Sequence, residues 1–107
     1  MVKVGNCMKI WVDDVRPAPE GYYWADTVNK VKNCIVYQEE HNIPIEILDL
    51  DHDLGYERQA DGGDVIKLLD WLEETGRSYP IRIHSMNPVG VENMRRIIQH
   101  NGWKEIR

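Results

Sequence analysis

The chain has 107 residues, the size of a single domain with one hydrophobic core, and we expect residues 1–107 to fold as one unit. Hydrophobic residues make up 42% and charged residues 29%, which excludes disordered and low-complexity classes. The formal net charge of −5 argues against duplex DNA or a membrane surface as a partner bound by bulk charge. The longest apolar run, residues 34–37, is far too short to span a membrane, and we expect a cytoplasmic protein.

The first half of the chain alternates strand and helix patterns. A short apolar strand at Met8–Val12 ends in two acids, and the prolines and the glycine that follow predict a loop rather than a helix. A short strand over residues 22–25 comes next, and the Asp or Thr at residues 26–27 is expected to cap a helix that ends near residue 42. The run Ile45–Leu50 is largely apolar on both faces, which favours a central parallel strand.

The second half continues the alternation after a polar loop over residues 51–63. An amphipathic helix is expected from Asp64 to near Gly76, followed by a strand over residues 81–85. Asn87 and Pro88 form the N-cap and first-position pair of a third helix, which should end at Gly102, and residues 103–107 are expected to form a final strand.

Strands that alternate with helices predict an α/β fold, a three-layer sandwich with a parallel sheet and right-handed crossovers. Ligands of such sheets bind beyond the carboxyl ends of the strands. The polar residues that follow the predicted strands should therefore converge on one edge: Asp13, Asp14 and Arg16, then Asp51, His52 and Asp53, then His84, Ser85 and Asn87.

The adjacent carboxylates Asp13 and Asp14 repel each other unless a cation, a proton or Arg16 neutralises them. Hard oxygen ligands suit Mg²⁺ or Mn²⁺, and Asp51 or Asp53 would supply a third carboxylate. A solvated turn in which Asp13 pairs with Arg16 explains the same residues without a metal. The sequence leaves both interpretations open.

Two histidines are candidates for acid–base chemistry. His52 lies between two acids, and His84 ends an apolar strand, where a titratable side chain needs a partner. Each is explained equally well as a structural histidine. Arg16, Ser85 and Asn87 are candidates for binding a phosphate, although Asn87 is also expected to cap the third helix. Trp11 or Trp24 would be placed to stack a base.

Three segments carry a family resemblance: IWVDDVRPAPEG, LDHDLG and IHSMNPVGVENM, in this order from Met8 to about Ile98. They resemble the signatures of the cyclic-phosphate-processing receiver domain, a relative of the receiver domain of response regulators. The resemblance implies a receiver-like (flavodoxin-like) fold with reduced helices. It also implies a site made of the nine strand-end residues given above.

The leading hypothesis is a phosphoesterase that hydrolyses a cyclic phosphate, either a 2′,3′-cyclic RNA end or a cyclic nucleotide. Under this hypothesis His52, His84 and Asp51 are catalytic, Arg16, Ser85 and Asn87 bind phosphate, and Asp13, Asp14 and Asp53 hold a divalent metal, Mg²⁺ or Mn²⁺. One alternative is a non-catalytic module that senses a nucleotide or phosphate for an unknown protein partner. Another is a phospho-accepting receiver with Asp49 or Asp51 as acceptor, although no Lys-Pro motif occurs near Lys104.

Overall fold

A computed structural model describes residues 7–52, 54 and 64–107. The described residues form one parallel five-stranded sheet in the order β2-β1-β3-β4-β5. The strands are β1 (Met8–Val12), β2 (Tyr23–Ala25), β3 (Ile45–Leu50), β4 (Ile81–Ile83) and β5 (Glu105–Ile106). The helices are α1 (Val28–Glu40), α2 (Val65–Glu74) and α3 (Pro88–Asn101). The predicted α/β fold with a parallel sheet is confirmed.

The helix ends follow local side-chain chemistry. Of the two residues proposed to cap α1, Thr27 is the N-cap, and its side chain accepts the N–H of Lys30. Asn87 caps α3 as predicted, and Asp64, where the sequence predicted that α2 begins, is the N-cap of that helix. Gly102 ends α3 with φ 69°, the left-handed conformation that glycine adopts without a Cβ clash.

Three of the strands are shorter than the sequence predicted. β4 ends at Ile83, although the N–H of His84 still donates to Leu50 O of β3 at 2.9 Å. β2 begins at Tyr23, and β5 contains only two residues. Of the predicted loop over residues 51–63, only 51, 52 and 54 are described, and Leu54 is buried in the core.

All three helices pack on one face of the sheet. The connections from β2 to β3, β3 to β4 and β4 to β5 cross the sheet in the same direction, so right-handed crossovers place α1, α2 and α3 on the same side. In agreement, α1 contacts α2 and α2 contacts α3. The core between this layer and the sheet includes Ile10, Leu48, Leu50, Ile81 and Leu69.

The connection from β1 to β2 crosses in the opposite direction and covers the other face without a helix. The indole Nε1 of Trp11, which points away from the helices, donates to the carbonyl of Arg16 at 3.0 Å. The ring of Tyr22 packs edge-on against the same indole. The predicted reduction in helices therefore falls on this face of the described chain. Among the described residues as a whole, no helix is long and apolar enough to cross a membrane.

An ion pair fastens the end of α1 to the segment that follows α2. Glu39 accepts hydrogen bonds from the Arg77 guanidinium at 2.8 and 2.9 Å and from the Tyr79 hydroxyl. The Arg77 hydrogen bonds lower the pKa of Glu39 more than partial burial raises it, and the Tyr79 bond and the Arg77 charge lower it further. Burial and the bond to Glu39 raise the pKa of Tyr79 to about 12.

Replacing Glu39 by Gln should lower the free energy of unfolding by about 1–2 kcal/mol at neutral pH, because two charge-assisted bonds are lost. The pKa of Glu39 is lower in the folded state than in the unfolded state. The stabilisation that ionised Glu39 contributes is therefore fully present above the unfolded-state pKa and is lost as the pH falls through the folded-state pKa. The difference between wild type and variant in urea titrations should therefore shrink as the pH is lowered through the acidic range and disappear once Glu39 is protonated in the folded state. Glu40→Gln, at an exposed neighbouring position, is the control, and an equal loss there would contradict the assignment.

Candidate functional site

Asp13 is held in place at the carboxyl end of β1 by the backbone around it. Its side chain is 1% exposed, and Oδ1 accepts the N–H groups of Val15 at 2.8 Å and Arg16 at 2.9 Å. The indole Nε1 of Trp24 donates to the Asp13 carbonyl at 2.7 Å. The turn is local in sequence, as is typical of an aspartate that begins a loop.

His84 lies between two buried carboxylates, on the face of the sheet away from the three described helices. Its Nε2 is 3.0 Å from Asp13 Oδ2, and its Nδ1 is 2.7 Å from Asp49 Oδ1. The three side chains are 8%, 1% and 0% exposed. Both ring nitrogens thus have a carboxylate as hydrogen-bond partner.

Neighbouring side chains fix the plane of the His84 ring. The indole of Trp11 stacks on it with ring centroids 3.7 Å apart and planes 4° apart. Arg82 Nη1 lies 3.3 Å from the second oxygen of Asp49. The register of β1, β3 and β4, which pairs Trp11 with Asp49 and Asp49 with Arg82, creates this arrangement.

The environment of Asp13 favours its ionised form. Burial by itself raises the pKa of this carboxyl, but the N–H donors of Arg16 and Val15 and the hydrogen bond and charge of His84 outweigh burial and lower the pKa. A buried negative charge thus stays at the end of β1.

Three carboxylates form an acidic cluster at this edge. One oxygen from each of Asp13, Asp14 and Asp51 lies within 4.8 Å of the others, and Asp14 and Asp51 are half-buried. At that separation each ionised pair repels by about 3.5 kcal/mol at the effective dielectric near a protein surface. A divalent cation with hard oxygen ligands would relieve this repulsion, so the donor set fits such an ion. Asp14 and Asp51 are the more exposed members of the cluster, whereas Asp13 is buried.

The predicted metal ligands are therefore brought together in part. Asp13 and Asp14 are adjacent in the cluster, whereas Asp53 lies outside the described residues. Asp51, predicted as a catalytic residue, occupies the third position of the cluster. Its backbone N–H donates to Val12 O at 2.9 Å, which continues the β1–β3 pairing by one residue and brings the two strand ends level.

His52, the second predicted catalytic histidine, is half-buried beside the first turn of α3. Its imidazole lies directly against Gly90, so closely that a Cβ at position 90 would overlap the ring. His52 and His84 thus have different surroundings: the first packs on a helix, and the second is enclosed by two acids.

The predicted phosphate-binding residues surround the same edge. Arg16 is exposed, and its Nη1 lies 3.5 Å from the carbonyl of His84, which brings the β1 loop to the end of β4. The Ser85 hydroxyl oxygen accepts the N–H of Asn87 at 3.1 Å, and Asn87 Oδ1 accepts the N–H of Gly90 at 3.1 Å. The capping role of Asn87 is confirmed, and its side-chain oxygen is occupied by that role. Asp13 is buried and accepts the backbone N–H of Arg16, which differs from the solvated pair with the Arg16 side chain that the alternative interpretation supposed.

Sequence reasoning missed Asp49, Trp11 and Gly90 as parts of this arrangement. Asp49 entered only as a possible phosphate acceptor, yet a carboxylate in the middle of an apolar strand needs a buried partner, as His84 does. Because Asp49 and His84 each need a buried hydrogen-bond partner, the sequence could have predicted that they bond to each other. Trp11 stacks on His84 and is not available to stack a base, while the indole of Trp24 is 44% exposed.

Residues 8–100 match the model of a family described as the cyclic-phosphate processing receiver domain. The chain belongs to this family. The match confirms the resemblance and the receiver-like fold inferred from the three sequence segments. The matched range includes every residue of the site described above. No curated protein and no solved structure matches the chain.

Replacing His84 by Ala should lower the free energy of unfolding by about 3–5 kcal/mol, because Asp13 and Asp49 would remain buried without their shared partner. Asp49→Asn should cost less, since the amide oxygen still accepts from Nδ1. Urea denaturation measures both effects. His100→Ala, an exposed histidine in the last turn of α3, is the control. A loss below about 1 kcal/mol for His84→Ala would show that the two acid contacts do not stabilise the fold.

Proposed function

We propose that this domain hydrolyses a cyclic phosphate, with a 2′,3′-cyclic RNA end or a cyclic nucleotide as the substrate. The observation that carries the proposal is the convergence of the acidic cluster, His52, Arg16 and the first turn of α3 at one sheet edge. The family to which the chain belongs is described by cyclic-phosphate processing, and the site supplies the groups that such a reaction needs.

Hydrolysis of a cyclic phosphate needs three contributions. The oxygen of a water molecule attacks phosphorus, one ring P–O bond breaks, and the leaving oxygen takes a proton to give a phosphomonoester and a hydroxyl group. A base accepts the proton of the attacking water, and an acid supplies the other proton. Positive charge and hydrogen-bond donors stabilise the phosphoryl oxygens in the transition state.

We assign the acidic cluster to a divalent metal, Mg²⁺ or Mn²⁺, with Asp14 and Asp51 as the principal ligands and Asp13 as the third carboxylate. The ion, when bound, would stabilise charge on the phosphoryl oxygens. Asp51 is one of the two residues that the sequence analysis offered as the third carboxylate, and the other, Asp53, lies outside the described residues. We assign phosphate binding to the exposed Arg16 guanidinium and the Ser85 hydroxyl.

We assign proton transfer to His52 and a positioning role to His84. Both ring nitrogens of His84 contact carboxylates, so neither faces a substrate in this arrangement. His84 instead fixes the orientation of the Asp13 carboxylate, and Asp13 is a member of the acidic cluster. His52 is half-buried and adjacent in sequence to Asp51, which suits a group that meets the substrate.

The phospho-accepting alternative would use Asp51, because Asp49 is fully buried and bonded to His84 and Arg82. A receiver also needs a lysine near the phosphoryl group. Lys104 precedes β5, at the amino end of a parallel strand, and so lies at the sheet edge opposite the acidic cluster. This placement favours hydrolysis over a stable aspartyl phosphate.

Magnesium or manganese at millimolar concentration should raise the melting temperature. A ligand at ten times its Kd stabilises the folded state by about 1.4 kcal/mol, which is several degrees for a domain of this size. Asp14→Asn should remove most of this shift, because Asp14 is a cluster member with little structural role. Asp70→Asn, exposed on α2, should leave it unchanged. A melting temperature independent of both metals would refute the metal assignment.

His52→Ala should lower kcat for a 2′,3′-cyclic nucleotide by roughly a hundredfold or more, the usual contribution of a proton-transfer group. Arg16→Gln should mainly raise KM, because a phosphate contact is lost. Product formation is followed by chromatography, with His41→Ala, an exposed histidine after α1, as the control.

Two results would contradict this assignment. Binding of the cyclic nucleotide without product in wild type would favour the sensing module. A mass gain of one phosphoryl group after treatment with acetyl phosphate and Mg²⁺, absent in Asp51→Asn, would favour the phospho-accepting receiver.

A further inference from the structure

Gly90 is a buried glycine in the first turn of α3, and the space above its Cα is filled by the ring of His52. A Cβ built at this position would lie 2.6 Å from Nδ1 and 2.7 Å from Cδ2 of the imidazole and would overlap Cγ. Real Cβ atoms essentially never come within 3.0 Å of another group. No residue other than glycine therefore fits beneath the ring as it is placed.

Backbone conformation does not explain a glycine at this position. Among the described glycines, positive φ angles occur at Gly21, Gly76 and Gly102, and Gly90 has ordinary helical geometry. Within a helix, glycine is the least favourable residue after proline. The close approach of His52 is the feature that requires it.

The contact also fixes where the imidazole sits. The Gly90 N–H is bonded to the Asn87 cap, so the first turn of α3 is rigid where the ring lies on it. One face of the ring is thereby packed against helix backbone. This packing holds the imidazole at the start of α3, and Asp51, the residue before His52 in the chain, belongs to the acidic cluster.

We infer that Gly90 is a positioning residue for the reaction: it supplies the flat backbone surface that sets the orientation of the His52 imidazole. The inference rests on the proposed hydrolysis for its kinetic part, since His52 is the proton-transfer group there. The contact itself does not depend on that function and can be measured separately.

The kinetic test combines Gly90→Ala and His52→Ala in a double-mutant cycle. Gly90→Ala should lower kcat for a 2′,3′-cyclic nucleotide at least tenfold with KM changed less than about threefold, because the substrate still binds but the imidazole is displaced. In the His52→Ala background the same substitution should have no further effect on kcat. Gln99→Ala, exposed near the other end of the same helix, should leave kcat unchanged. Wild-type kcat in Gly90→Ala, or additive losses in the double variant, would overturn the inference.

The structural test needs no turnover. In wild type, the α-protons of Gly90 should show an NMR ring-current shift and a cross-relaxation peak to the His52 ring, and both should be absent in His52→Ala. Gly90→Ala should lower the melting temperature of the wild type, whereas in the His52→Ala background it should raise it by a few degrees through higher helix propensity. If the wild type has no hydrolase activity but these signals are present, the proposed function fails and the contact stands. If the signals are absent, the positioning inference fails whatever the activity.

Discussion

The hydrogen-bonded chain Asp49–His84–Asp13 is the interaction on which the rest of this site depends. It joins the ends of β1, β3 and β4 through three buried side chains, and Trp11 covers the ring. Two buried carboxylates without a partner would be strongly unfavourable, and the imidazole satisfies both at once. Asp13 belongs both to this hydrogen-bonded series and to the acidic cluster. The hydrogen bond between His84 and Asp13 therefore helps to set the orientation of the cluster.

Topology explains why this chain of side chains can exist. The right-handed crossovers that run from β2 to β5 place every described helix on one face. The opposite face is covered by long side chains and by the loop after β1, which leaves space for Trp11 and His84 to stack. A helix packed against this face would require apolar side chains where Asp49 and Arg82 stand.

The two histidines illustrate how environment separates residues that look equivalent in a sequence. Both follow strands and both have acids nearby, yet His84 is enclosed and hydrogen-bonded at both nitrogens, while His52 is half-buried against Gly90. A group that transfers protons to a substrate needs a nitrogen that can reach it. A group that orients a carboxylate needs to be held still. The structure shows the second condition at position 84, where two carboxylates enclose the ring, and proton transfer is the role that we propose for His52.

The sequence by itself determined the element order, the caps at Asp64 and Asn87, the left-handed end at Gly102 and the strand ends at which polar residues gather. These features depend on periodicity and on contacts within a few residues, which a sequence displays directly. Only the tertiary structure decided that His84 bonds to residues 35 and 71 positions away, and that Gly90 supports His52. Such contacts depend on strand register and on helix placement across the sheet, where a shift of one residue moves every side chain to the other face.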